Sequence, residues 1–456
     1  MNSLDAPGEP VTVHAPAGTI IGRRSARVRR FLGIPYAQPP TGARRFAVPV
    51  PRDRFPEPYD ASRHGPTAQR VPLFATTTVP EPSVPGDDVL NLGVVAPAAD
   101  DERGPFPVMV WIHGGGFLAG SPASPWYDGR AFARDGVVCV TVGYRLGVDG
   151  FAVLDDVPTN LGLRDLLLAL DWVRENIAAF GGDPDRVTVA GQSAGGAAVL
   201  ALLSSPAGRG RFQRAVSMSG GFFEPRAVRA FLGRLGERLA VPATRAGFGT
   251  LGVAELQQAV LDLRDEAGDD GPVLSPSVGD DILPVPVAQG LAVHGHDVPL
   301  LLGATGDEFD SGASPVPGAR AAGTRRTDTL FRAACPRAAA ARRAARAGTW
   351  LYSFEWPSPV LGGAAHCVDI PYFFDLLDAG GIAEALGTDP PQELAASMHA
   401  DLVAFLHGGE PDWGRATGVP GDPAREYGRT GVPLVADTTG VFDAVVRPLP
   451  EAAGTC

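Results

Sequence analysis

The stretch that leaves the chain fewest choices is "RVTVAGQSAGG", residues 186–196. An apolar run, Val187-Thr188-Val189-Ala190, meets Gly191-Gln192-Ser193-Ala194-Gly195, and small and apolar residues continue to Leu203. The first run reads as a buried strand and the last as a helix, so the backbone must reverse at Ser193 within a residue or two. Such a turn needs small neighbours, because strand and helix pack tightly around it. A bare Gly-x-Ser-x-Gly arises by chance, and glycine and serine at a strand end can be an ordinary turn. The flanking strand and helix give this one its weight.

The same alternation runs through the chain. "FPVMVWI" (106–112) and "GVVCVTVGY" (136–144) are continuous apolar runs of strand length, as expected for strands covered on both faces. Leu163, Leu166, Leu167, Leu170, Val173 and Ile177 recur at helical spacing until Gly181-Gly182 and Pro184 stop the helix. "PLLLGAT" (299–305) and "TWLYSFEW" (349–356) add strands. Strand, helix, strand, tight turn, helix predicts an α/β fold with a mostly parallel central sheet covered by helices. Short β-type runs broken by Gly and Pro over residues 10–50 predict an N-terminal β meander. Residues 310–326 and 408–432 read as surface loops. No internal repeat is present, and residues 1–456 are read as a single domain, since α/β folds of this size often form one.

Composition removes several kinds of chemistry. The net charge of -12 argues against a nucleic-acid or anionic-membrane partner. All 39 basic residues are arginine, which excludes Schiff-base, pyridoxal-phosphate and P-loop chemistry, each of which needs a lysine amine. The N-terminus has neither the basic nor the apolar region of a signal peptide, and no run approaches the roughly 18 apolar residues of a membrane helix. Cys139, Cys335, Cys367 and Cys456 have no CxxC spacing and read as free thiols in a reducing compartment, so a cytoplasmic location is expected.

What remains is nucleophilic chemistry at Ser193. The turn lifts its Oγ into a cleft and aims the Ala194 amide, at a helix N-terminus, toward a developing oxyanion. "WIHGGGF" (111–117) sets three glycines after a buried strand, which lets bare N–H groups approach a ligand. Acyl transfer needs such donors. A flexible loop is the competing reading, and the serine motif downstream decides against it. His113 is read as a loop-shaping hydrogen bonder and not as a base.

With these stretches the sequence resembles the type-B carboxylesterases, the branch of the α/β-hydrolase fold that includes bacterial p-nitrobenzyl esterases and cholinesterases. The resemblance is carried by "FLGIPYAQPPTGARRF" (31–46), "WIHGGGF", the block from Asn160 to Gly196, and "MSGG" (218–221). "LLGATGDEF" (301–309) and "HCVDIPYFF" (366–374) are less specific matches, and the whole spans nearly the full chain. It implies an α/β-hydrolase fold and a serine carboxylesterase that works through an acyl-enzyme on a small-molecule ester, with no metal or organic cofactor. It also implies a catalytic acid at Glu308, with Asp307 and Asp310 as rivals, and a base at His366, which opens the family's H-x-x-[DE]-[LI]-x-Y-x-F pattern. Gly115, Gly116 and Ala194 would form the oxyanion hole. Gln192 and Ser219 would stand behind the triad, Ser219 by a hydrogen bond near the acid. His399 and His407 are read as packing or surface residues, and His294 and His296 as loop residues.

The sequence departs from the family in places. Gln192 stands where relatives often carry Glu, so the pocket lacks one negative charge. Phe309 replaces the glycine that usually follows the acid. Val89 occupies the position of a disulfide cysteine, so residues 74–88 are expected to be weakly anchored. The interval from Glu308 to His366 is short, as if a piece near 311–322 were missing. The triad could also serve carbamates, amides or a biosynthetic acyl transfer. A catalytically dead binding module would require a broken triad.

Overall fold

The computed structural model describes residues 8–446, apart from 26, 74–77, 99–100, 224–227, 268–271 and 310–318. Its strands, in chain order, are β1 Glu9–Ala15, β2 Gly18–Ser25, β3 Val28–Pro35, β4 Tyr59–Asp60, β5 Asn91–Pro97, β6 Phe106–Ile112, β7 Val138–Val142, β8 Gly182–Gln192, β9 Arg214–Met218, β10 Leu300–Thr305, β11 Thr349–Phe354, β12 Pro423–Tyr427 and β13 Val435–Thr439. Among the described residues they form one sheet in the order β1-β2-β3-β5-β7-β6-β8-β9-β10-β11-β12-β13, with β4 beside β2. The centre, from β7 through β12, is parallel, and both margins are antiparallel.

The unbroken apolar runs are explained by burial on both faces. In β6, Val108, Val110 and Ile112 enter one core while Met109 and Trp111 enter the other. The first core is closed by the helices Leu161–Asn176 and Ala194–Ser204, and the second by the segment Ile370–Phe373 and the helix Gln392–Leu406. The meander expected over residues 10–50 is the antiparallel β1-β2-β3 margin.

Two loop expectations are corrected. Within 408–432, β12 pairs in parallel with β11, and Ala424, Arg425, Glu426 and Tyr427 are buried. Its charged residues read as surface, but each is compensated. Arg425 pairs with Asp401, Asp412 and Asp437 and lies 4.4 Å over the Trp413 ring, while Glu426 accepts from Arg429 at 3.1 Å. Within 310–326, residues 319–326 are helical and lead into a wider turn, Thr327–Arg332; the alanines there favour a helix that the nearby Gly and Pro had masked. Residues 310–318, and with them Asp310 and most of the expected shortening, lie outside the described residues.

Candidate active site

Ser193 follows β8 and caps the helix Ala194–Ser204 with φ 57° and ψ −122°, a region that non-glycine residues rarely occupy and that costs about 1–3 kcal/mol. The turn is held by its own peptide groups: Ser193 N donates to Met218 O (2.8 Å), and Ser193 O accepts from Ala197 N (2.8 Å). The flanking glycines are there for space. A Cβ on Gly195 would stand 2.0 Å from Ile112 O, and one on Gly191 would stand 2.6 Å from the Gly195 carbonyl.

The glycine loop after β6 lies against this turn, since a Cβ on Gly114 would come within 3.0 Å of Ser193 Cβ. Gly115 O accepts from Leu118 N and Ala119 N, which curls the loop back on itself. Among the described residues, no group accepts a hydrogen bond from the amides of Gly115, Gly116 or Ala194. His113 is buried, donates from Nδ1 to Gly114 O (2.8 Å) and stacks on Tyr144 (4.7 Å). Burial pushes it down to about 4, so it is neutral and shapes the loop.

Glu308 follows β10, and His366 lies on the loop after β11. The two backbones are tied directly: His366 N donates to Glu308 O (2.9 Å), and Asp307 N donates to Ala364 O (3.0 Å). Asp307 Oδ2 in turn accepts from Ala364 N (2.8 Å), so Asp307 fastens the turn and does not face the imidazole. Glu308 Oε1 accepts from Thr305 N (2.9 Å), and Oε2 takes a short hydrogen bond from His366 Nδ1. The opposite ring nitrogen, Nε2, lies 2.9 Å from Ser193 Oγ. Thus Ser193, His366 and Glu308 form one chain of hydrogen bonds. Ser193 is 8% exposed, and the Glu308 side chain is fully buried.

Burial works against a charged His366, yet Cys367 and Glu308 together hold it well above the usual histidine value. The Cys367 thiol is itself pushed up by burial and is therefore uncharged near neutrality, so the Glu308 carboxylate supplies the lift.

The other candidates fall in different places. Gln192 is buried, with its Nε2 3.3 Å from His366 Nε2. Ser219 is also buried, with φ 47° and its N–H committed to Gly303 O (2.8 Å). Its hydroxyl meets no partner among the described residues, so the implied hydrogen bond near the acid is not made; the backbone pairing fixes the residue where its Oγ finds no acceptor. His399 packs against Phe132 and bonds Phe373 O and Asp135, while His407 reaches only the Asp135 carbonyl. His294 and His296 lie beyond the helix Val287–Val293.

The sequence marked neither Phe331 nor Gln69, and marked Phe309 only as a replacement for the glycine after the acid. Phe309 and Phe331 pack on the His366 ring, and Phe331 comes from the turn Thr327–Arg332, just past the segment read as loop. Gln69 is buried and cross-links two loops: its Oε1 accepts from Gly120 N (2.5 Å) and its Nε2 donates to Glu81 O (3.0 Å). Ser83 Oγ and Arg70 add bonds to Gln69 O, and Thr67 and Val84 bond reciprocally. The described part of 74–88 is therefore anchored by polar contacts where a disulfide was missed, which corrects the expected weak anchoring. A single glutamine in a Gly/Pro-rich stretch carries no pattern that would have marked it.

A strained serine between a parallel strand and a helix, joined to a histidine and a buried carboxylate beside an unpaired row of amides, defines a serine hydrolase of the α/β-hydrolase fold. The carboxylesterase family model matches residues 9–322. The para-nitrobenzyl esterase of Bacillus subtilis (strain 168) is 33% identical over 448 residues, covering 86% of this chain and 89% of that protein. A solved para-nitrobenzyl esterase superposes with a TM-score of 0.80 at 30% identity, covering 95% of this chain and 98% of that one. The carboxylesterase of Geobacillus stearothermophilus gives a TM-score of 0.80 at 30% identity, covering 96% and 100%. The chain belongs to the carboxylesterase family and is a serine carboxylesterase, which hydrolyses carboxylic esters through an acyl-enzyme. Among the described residues no helix is long and apolar enough to cross a membrane.

Proposed function

We propose that Ser193 is the nucleophile, His366 its general base and Glu308 the acid that orients the base, within a single domain spanning residues 1–456. One observation carries this assignment: His366 reaches Ser193 Oγ through Nε2 and Glu308 through Nδ1, with the partner groups buried. In this reading Nε2 accepts the Ser193 proton as Oγ attacks the ester carbonyl. The amides of Gly115, Gly116 and Ala194 donate to the carbonyl oxygen as it becomes an oxyanion. Nε2 then gives the proton to the departing alkoxide, and a water deprotonated by the same nitrogen releases the acid. The bonds that change are the ester C–O bond and the Ser193 Oγ–C bond that replaces it and is then hydrolysed, and His366 carries every proton moved, so no step calls for a metal or organic cofactor.

The substrate class we infer is the neutral, small-molecule ester, because Gln192 presents an uncharged amide beside His366. Nucleic acid is no partner for a chain of net charge -12. Free thiols at Cys139, Cys335 and Cys367 favour the cytoplasm.

A panel of p-nitrophenyl esters, run with and without alcohol acceptors, followed by labelling with an acyl-phosphonate, tests the assignment. Hydrolysis of the panel, with the label recovered on Ser193, is expected. A label on any other residue overturns the assignment, and faster transfer to the alcohols than to water overturns the hydrolytic role.

A further inference from the structure

Phe309 stands next to the acid, and its side chain remains partly open to solvent, at 37% exposure. Its ring stacks on the His366 imidazole with centroids 5.0 Å apart and planes 28° from parallel. Phe331 meets the same imidazole at 4.9 Å and 51°, and the two phenyl rings are 5.5 Å apart. The three rings form a closed triangle. Its position is fixed from the backbone: Phe309 N donates to Thr327 Oγ1 (3.1 Å), on the turn Thr327–Arg332 that also carries Phe331.

We propose that Phe309 is a positioning residue that stabilises the imidazolium form of His366 during acyl transfer. The proposal rests on His366 being the base. When Nε2 takes the Ser193 proton, the ring becomes a cation whose Nδ1 is already engaged by Glu308. A phenyl face carries the negative lobe of its quadrupole and attracts a cation within about 6 Å of its centroid. Stacked rings bring the face of Phe309 to that cation, and Phe331 backs it from the buried side. A leucine would cover the imidazole equally well but has no quadrupole.

The other groups that face His366 are Glu308 at Nδ1, Ser193 and Gln192 at Nε2, the neighbouring Cys367 thiol, and Asp369, whose charge is coupled to the ring. A change at Phe309 leaves all of them in place. Two effects of removing the ring oppose each other: loss of the quadrupole lowers the imidazole's proton affinity, and entry of water raises it. Phe309→Leu keeps the cover and isolates the first effect. Phe309→Trp strengthens the attraction.

The test uses the full chain. The His366 ring is titrated by NMR in histidine-labelled protein, with His366→Asn identifying its signal, and kcat/KM for p-nitrophenyl butyrate is followed against pH. Phe309→Leu is expected to lower the ring's titration midpoint and the acid limb of kcat/KM by about half a pH unit. The plateau should fall about twofold to threefold, and Phe309→Trp should hold or raise both midpoints. A shifted ring titration with an unmoved rate profile upholds the stacking role and overturns the base assignment. An unmoved or raised ring midpoint in Phe309→Leu overturns the proposal. So does a KM change alone, which would make Phe309 a substrate-packing residue.

Discussion

The two halves of the site are built on different principles. On the nucleophile side, Ser193, Ala194 and the glycine loop owe their positions to short stretches of chain and to excluded volume. Gly195 fits only because its missing Cβ leaves room for Ile112 O, and the strained Ser193 is the link between β8 and its helix. On the acid–base side, Glu308 and His366 are 58 residues apart and meet through bonds that cross between loops: His366 N to Glu308 O, Asp307 N to Ala364 O, and Asp307 Oδ2 from Ala364 N. The first half is set by what cannot fit, the second by which partners are available. The nucleophile half should therefore respond to change in an all-or-none way, and the acid–base half by degrees.

Ser193→Ala is the sharpest break. It removes the reacting atom and leaves the turn, so kcat should fall roughly 10⁶-fold while thermal unfolding stays near the parent's. Stopped assays with p-nitrophenyl butyrate measure the first, and calorimetry the second. Near-native turnover would end the comparison by moving the chemistry elsewhere.

Glu308→Gln tests the tunable half. The rate should fall about 10⁴-fold, as when a triad acid is neutralised. The pH profile should move as well. The base must be neutral to act, so kcat/KM is full above the folded pKa of His366 and is lost as pH falls through it. Because Glu308 raises that pKa, the parent's acid limb should lie above the ordinary histidine value of 6.5, and Glu308→Gln should shift it downward. Asp307→Asn, whose side chain still offers an oxygen to Ala364 N, should change the rate little. A larger loss in Asp307→Asn than in Glu308→Gln would reverse the assignment of acid and turn-fastener.

Gln69→Leu gives the smallest effect and blurs the division, since it ties the glycine loop from outside. It strips the acceptor from the buried Gly120 N–H, which should cost about 1–3 kcal/mol of stability in a denaturant titration. If Gly120 steadies the amides of Gly115 and Gly116, kcat should drop about tenfold with KM nearly unchanged. An unaltered kcat would mean that the glycine loop keeps its shape from local bonding alone.

These contrasts also explain what could be read before the fold was known. Residues 106–112, 136–144 and the run Val187–Ala190 announced buried central strands, because covering a strand on both faces leaves no polar alternation. The strand β12 escaped notice: Arg425 and Glu426 are buried, and their partners Asp401, Asp412, Asp437 and Arg429 lie on other segments or just past the strand, so the linear pattern looked like surface. Phe331 was hidden for a related reason, in an arginine-rich segment whose wide turn faces the imidazole only in the folded chain.

By itself the sequence determined the class of fold, the turn at Ser193 and the glycine loop beside it, because strand periodicity and the need for missing side chains are properties of neighbouring residues. It also narrowed the acid and the base to a few residues through resemblance. Only the tertiary structure decided that Glu308 and not Asp307 faces His366, that Gln69 bridges the glycine loop where a disulfide was missed, and that Phe309 and Phe331 close on the imidazole. Each of these depends on distances between segments far apart in the chain, and burial and hydrogen-bond partners at such distances exist only once the sheet has brought the segments together.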